Sequence, residues 1–260
     1  MAIYKVGRNE KKSEQAGFHD GIYSDIEKEI ANRGYILEFF SIPNAKTVQF
    51  KALLTQFSDK YDSSWDESMY YGRMDPIAVF KGTKRSISIG WSIVAASDGE
   101  AKDNLRKISL LVSMLYPSYE DEKEPNASSI ASSPLFKLSF ANLVGNSASG
   151  DSKGSSASVT GLVGKISNLA VTPNLDAGMF DGEIGKLYPK EYTMTFDYLV
   201  FHTHRVGWKK GKGEFFVPKF PYGIEHFGDA AAKPKVESKD NKTTQQKQAS
   251  VNKITKGGRN

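Results

Sequence analysis

The chain has no cysteine, which excludes disulfides, thiolate metal centres and cysteine nucleophiles. It has no apolar run near the roughly 20 residues needed to cross a bilayer. Its first dozen residues are polar and basic, with no signal-peptide core behind them. The expectation is a soluble protein made in the cytoplasm. Histidine is scarce, at four in 260 residues. Excess charge is also absent from most of the chain. The net charge is +5, but residues 233–260 hold eight Lys or Arg against Glu237 and Asp240. Taking these from the totals of 35 basic and 30 acidic residues leaves 27 and 28, so the part before Lys233 is near neutral. The basicity is a tail with too few apolar residues to fold alone.

What the chain does have is alternation. From Tyr192, residues Met194, Phe196, Tyr198, Val200, His202, His204 and Val206 fall on one face of an extended strand. Thr193, Thr195, Asp197, Leu199, Phe201, Thr203 and Arg205 fall on the other, because side chains alternate along a strand. The pattern predicts one strand over residues 191–206, paired antiparallel and partly across a subunit boundary. Ile87, Ile89, Trp91 and Ile93 alternate with serine and glycine and predict a second strand, over residues 85–94. Residues 35–57 predict a hairpin turning at Pro43-Asn44. Ser24-Asp25-Ile26-Glu27 fits a capping box for a short helix to about residue 32. A second box, Ser97 to Glu100, opens a longer stripe of Ala101, Leu105, Ile108, Leu111, Val112 and Leu115 at helical spacing, stopped by Tyr116-Pro117. Phe136, Leu138 and Phe140 mark another strand. Residues 58–66, 120–133 and 146–158 read as loops, polar, acidic-then-serine-rich and Gly/Ser-rich respectively. Strands, one long helix, then strands again predict a single α+β domain. It spans residues 34–228, between an N-terminal arm at 1–33 and the basic tail at 229–260.

No constellation amounts to an active site. His202 and His204, two apart on one strand face, hold a metal only if a third ligand joins them. Asp62, Asp66 and Glu67 sit in a polar run that reads as a solvated surface, as do Glu120, Asp121, Glu122 and Glu124. Gly161-Leu162-Val163-Gly164-Lys165 fails the phosphate-loop pattern, with Val159 where the first glycine belongs and Ile166 after the lysine. No catalytic residue, cofactor or metal is therefore expected, and no enzyme activity. The tail leaves a nucleic-acid-binding module as the alternative of another class. Lysine dominates it and no aromatic residue interleaves, so it cannot stack on bases.

Several short motifs stand in a telling order. Tyr70-Tyr71-Gly72-Arg73-Met74-Asp75-Pro76-Ile77 precedes the Ile87 strand, and Leu115-Tyr116-Pro117 closes the helix. Gly161 to Gly164, Pro173 to Asp176 and Leu187-Tyr188-Pro189 then lead into the long strand. Over roughly Tyr71 to Trp208 this series resembles the tail-tube-like baseplate proteins of tailed bacteriophages, of the kind that starts the inner tube above the central hub. The resemblance implies a mainly antiparallel β sandwich or barrel with one flanking helix. It implies a homo-oligomeric ring, six copies joining their inner strands around a DNA channel, and a place in the virion tail. The implied partners are the tail tube protein, the baseplate hub and wedge proteins and the tape measure protein, with viral DNA only in transit and no membrane. A tail tube or other tail-completion ring protein is the near alternative. On this reading Tyr192, Met194, Phe196 and Tyr198 are interface candidates on the barrel strand, although this apolar face also meets the helix and core. Lys235, Lys239, Lys242 and Lys247 are candidates for an acidic groove on a neighbouring subunit.

Overall fold

A computed structural model describes residues 15–16, 33–51, 53–119, 129–149, 156–181 and 184–224. The expected helix after Ser24 and the lysines of the tail lie outside them. The chain divides into two units, Met1–Ile224 and Glu225–Asn260, and the described residues all belong to the first.

Eight strands make one sheet, in the order β1 (Gln15–Ala16), β3 (Lys46–Lys51), β2 (Ile36–Ser41), β8 (Phe136–Phe140), β9 (Leu162–Pro173), β12 (Glu191–Val200), β5 (Ile77–Val94) and β4 (Leu53–Ser68). All ladders are antiparallel except that of β1 with β3. Two small ribbons stand apart, β6 (Ser118–Tyr119) with β7 (Ile130–Ser132), and β10 (Met179–Asp181) with β11 (Leu187–Pro189).

The sheet is not flat. β3 and β5 are five steps apart in its order, about 24 Å at the usual strand spacing. Yet the Phe50 and Trp91 ring centroids are 5.8 Å apart, and those of Phe39 and Phe196 are 5.3 Å apart. The sheet therefore curls until its two halves face each other, and the core fills the space between. One wall supplies Leu37, Phe39, Val48 and Phe50; the other supplies Ile87, Ile89, Trp91, Ile93 and the buried face of β12. β3 ends at Lys51 and β4 begins at Leu53, so strands adjacent in sequence lie near opposite ends of the sheet order. Lys51 ties β3 to the end of β5 and to the helix that follows: its Nζ donates to the carbonyl of Val94 (3.0 Å) and pairs with Glu100. Among the described residues no ladder joins the rims, so the expected barrel is a curled, open sheet within the chain.

The helix α1 (Asp98–Ser113) lies against β3 and β11. Its cap is the expected one. Ser97 Oγ accepts from the Glu100 amide (3.2 Å), and the Glu100 carboxylate reaches back to the Ala96 amide (2.8 Å). Ile108, Leu111 and Met114 are buried in the core, with Leu105, Val112 and Leu115 packed at its margin. The helix stops at Ser113, and the amides of Leu115 and Tyr116 bond three residues back instead of four. Pro117 allows no further helical turn.

Three expectations are corrected. Residues 58–66 are not a loop: they belong to β4, whose polar side chains, Asp59 apart, lie mostly in water. The strand predicted over 191–206 ends at Val200, paired with Gly164, where β12 parts from β5, which runs on to Ile77 without it. β9 begins at Leu162, and β5 is flanked by β12 only as far as Ser86. His202, His204 and Arg205 therefore lie beyond the strand. The loop predicted over 146–158 contains a 3-10 turn at Ser147–Ser149, and the short helix α2 (Ala157–Thr160) begins inside it.

Candidate functional site

β4 and β5 pair along their whole length, but β12 covers β5 only from Ser86 to Val94. Residues 77–85 and their β4 partners thus extend past the sheet as a two-stranded ribbon, about 30 Å long at 3.3 Å per residue. The turn at its end is Tyr70-Tyr71-Gly72-Arg73-Met74-Asp75-Pro76, where Arg73 N bonds Tyr70 O and Gly72 takes a positive φ of 83°. The ribbon is aromatic and apolar on its surface. Trp65 and Phe80 meet edge to face at 5.2 Å while staying 54% and 51% exposed. Met69, Tyr70, Tyr71, Met74, Ile77 and Val79 are also exposed. An isolated two-stranded ribbon is marginally stable in water, so this one needs an anchor.

The anchor is at its base. Arg85 Nε and Nη2 bond Asp59 in a bidentate pair (3.0 and 2.7 Å), with both side chains almost fully buried. Tyr222 Oη donates to the same carboxylate (3.1 Å), and the rings of Tyr61, Phe220 and Tyr222 surround the guanidinium. Residues 201–224 in this way fold back onto the ribbon's root. Burial, with the Asp59 carboxylate adding to it, raises the pKa of Tyr61 well above the usual phenol range and moves that of Tyr222 in the same direction. Sequence reasoning missed this cluster, because Asp59 fell in a run read as loop. The available signal was Phe57, Asp59, Tyr61 and Trp65 on one face of an alternating strand.

His202 and His204 sit in this same fold-back. His202 stacks obliquely on Phe220 (6.1 Å). Burial lowers the pKa of both, and for His202 the neighbouring Arg85 and His204 lower it further. No third ligand joins them: among the described residues no group of three His, Asp or Glu side chains suits a metal. Asp62, Asp66 and Glu67 line the ribbon in the open, and Asp66 pairs with Lys81 across it (3.2 Å).

Tyr192, Met194, Phe196 and Tyr198, the interface candidates, are buried in the chain's own core, so that apolar face carries no surface for a neighbour. Tyr198 Oη donates at 2.6 Å to Leu162 O, with Phe136 O at 2.9 Å. The opposite face presents Thr193, Thr195 and Asp197 beside Ser86, Ser88 and Ser92. Asp197 accepts from Ser88 Oγ (2.6 Å) and Asn168 Nδ2 (2.9 Å), and these bonds hold its carboxyl below the ordinary range. The glycines of Gly161-Leu162-Val163-Gly164 answer to packing rather than phosphate. A Cβ at Gly164 would lie 2.3 Å from the Leu199 carbonyl oxygen and 2.8 Å from the Tyr198 ring, and one at Gly161 would lie 2.3 Å from the Ala157 carbonyl oxygen.

No protein-family description matches the chain, and no curated protein matches it. Solved structures similar to it include the SPP1 Dit (gp 19.1) protein, described as a paradigm of the hub adsorption apparatus in phages that infect Gram-positive bacteria. That likeness has 11% identity, covers 64% of this chain and 50% of the Dit chain, and has a TM-score of 0.30. The chain spans half the length of that protein. Another is the anti-feeding prophage baseplate, with 7% identity, 63% of this chain, 87% of that one and a TM-score of 0.26.

Proposed function

We propose that this chain is a structural subunit of a phage tail baseplate. Copies form a ring, six in number, that links the central hub to the tail tube and starts the tube around a DNA channel. The observation that carries the reading is the ribbon: a long, anchored, aromatic-tipped projection whose apolar surface lies open. Exposed apolar surface of this kind marks an interaction site. Among the described residues the outer edge of β4 is likewise without a strand partner, and it suits pairing with a neighbouring copy. The Ser/Thr-rich outer face of β5 and β12 is then the surface that lines the lumen. The tail at 229–260, through Lys235, Lys239, Lys242 and Lys247, grips an acidic groove on the adjoining ring. Residues 34–228 form the tail-tube-like domain. The order of the short motifs supports the same reading, since Tyr70 to Ile77 is the ribbon's tip.

Labelling this chain in assembled particles and imaging them tests the proposal. Label confined to the junction of tube and baseplate is expected. Label along the whole tube would favour the tail tube reading, and particles without label would end both.

A further inference from the structure

We propose that the turn over residues 205–216 is a nucleic-acid-binding element, with phosphates held by Arg205, Lys210 and Lys212 and an unpaired base stacked on Trp208. This goes beyond the baseplate reading and does not depend on it. The segment 205–214 carries four cations, Arg205, Lys209, Lys210 and Lys212, against one carboxylate, Glu214. Lys209 holds that carboxylate at 3.0 Å, and Lys209 N bonds Glu214 O at 2.7 Å. The other three cations stand exposed. Gly211 and Gly213 take left-handed φ values of 75° and 65°, which let the turn double back within a few residues.

Beside the lysines is an aromatic platform. Trp208 is 64% exposed, yet its ring is braced edge to face on Phe215 at 5.2 Å, and Phe215 stacks on Phe220 at 5.7 Å. The backbone bridge between Trp208 and Phe215, with Phe216 N on Gly207 O (2.9 Å), fixes the hairpin that carries it. A held, exposed indole among closely spaced cations is the arrangement that binds single strands: cations track the phosphates and a ring face takes a base. An acidic protein groove would satisfy the lysines and offer the indole nothing. A bilayer would take the indole but asks for a continuous apolar face, which Lys209 and Lys210 interrupt. The tail lacks any such ring, so the aromatic interleaving missing there is found here instead.

The test uses the full chain and four probes: a single-stranded oligothymidine, a duplex, an acidic peptide and phosphatidylserine-containing vesicles. The single strand should quench Trp208 emission, read as the difference from Trp208→Phe, and bind more tightly than the duplex. Trp208→Ala should weaken single-strand binding about tenfold, in the range of one lost stacking contact. Lys210→Glu/Lys212→Glu should flatten the salt dependence of binding by about 1.4 in log–log slope, at about 0.7 per phosphate contact. The tail contributes equally to every variant, so these differences report on the turn alone. Substituted positions are exposed, and unchanged far-ultraviolet dichroism and melting temperature will verify the fold. Variants that bind like the parent would overturn the proposal. So would binding to vesicles or the acidic peptide but not to the oligonucleotide, or equal affinity for duplex and single strand with no change in Trp208 emission.

Discussion

From Ser86 to Ser92, β5 lies between β4 and β12, and this inner half buries Ile87, Ile89, Trp91 and Ile93 in the core. From Ile77 to Arg85 the same strand has β4 alone beside it, and Ile77, Val79 and Phe80 are exposed. The inner half is held by the hydrophobic effect, and its sequence shows the alternation such burial requires. The outer half has no core beneath it. It is held by backbone pairing and by one buried charge cluster at its root. The contrast shows how a single strand can serve folding at one end and leave the other for a partner.

Removing the root should produce the largest effect. Arg85→Met leaves Asp59 buried and unpaired, and unfolding measurements should show a loss of about 3–5 kcal/mol. The double variant Arg85→Met/Asp59→Leu should recover most of that loss, since replacing both charges by apolar groups is often near neutral. In the inner half, Ile108→Ala should cost about 2–5 kcal/mol by opening a cavity where α1 meets the core. Gly164→Ala should cost about 1–3 kcal/mol, by driving a methyl against the Leu199 carbonyl oxygen 2.3 Å away and the Tyr198 ring at 2.8 Å.

A milder probe of the root is pH. Burial holds the folded-state pKa values of His202 and His204 below the ordinary 6.5. As pH falls through 6.5 the unfolded chain takes up protons that the folded chain resists, so stability should decline on acidification. His202→Gln/His204→Gln should flatten that decline in denaturation series at successive pH values. A variant as acid-sensitive as the parent would place the titrating groups elsewhere.

The inner half was legible in the sequence, and so was the helix. Alternation located Ile87 to Ile93 and Tyr192 to Val200, and Ser97 and Glu100 marked the helix start. The outer half was not, because the usual sign of a strand is one dry face. Ser58, Lys60, Asp62 and Ser64 alternate with Asp59, Tyr61 and Ser63, so neither side reads as core. The same limit misplaced the end of β12. Alternation runs on through His202 and His204, but after Val200 the chain leaves β5 and turns back onto the ribbon's root, and only the fold shows that. The interface candidates of β12 illustrate the converse: strong apolar alternation marks what the chain keeps for its own core. The curling of the sheet, which brings Phe50 to Trp91, left no mark in the local pattern.

The smallest expected change in stability belongs to the ribbon's tip, where it carries the most meaning. Tyr71→Ser/Met74→Ser alters two exposed side chains and should shift stability by no more than about 0.5 kcal/mol. Sedimentation of the full chain and of this variant across a range of concentrations therefore tests the central claim, that the ribbon exists to bind another subunit. The parent chain should form a closed oligomer, and the variant should remain a folded monomer. A parent that stays monomeric at every concentration, or a variant that assembles as the parent does, would contradict it.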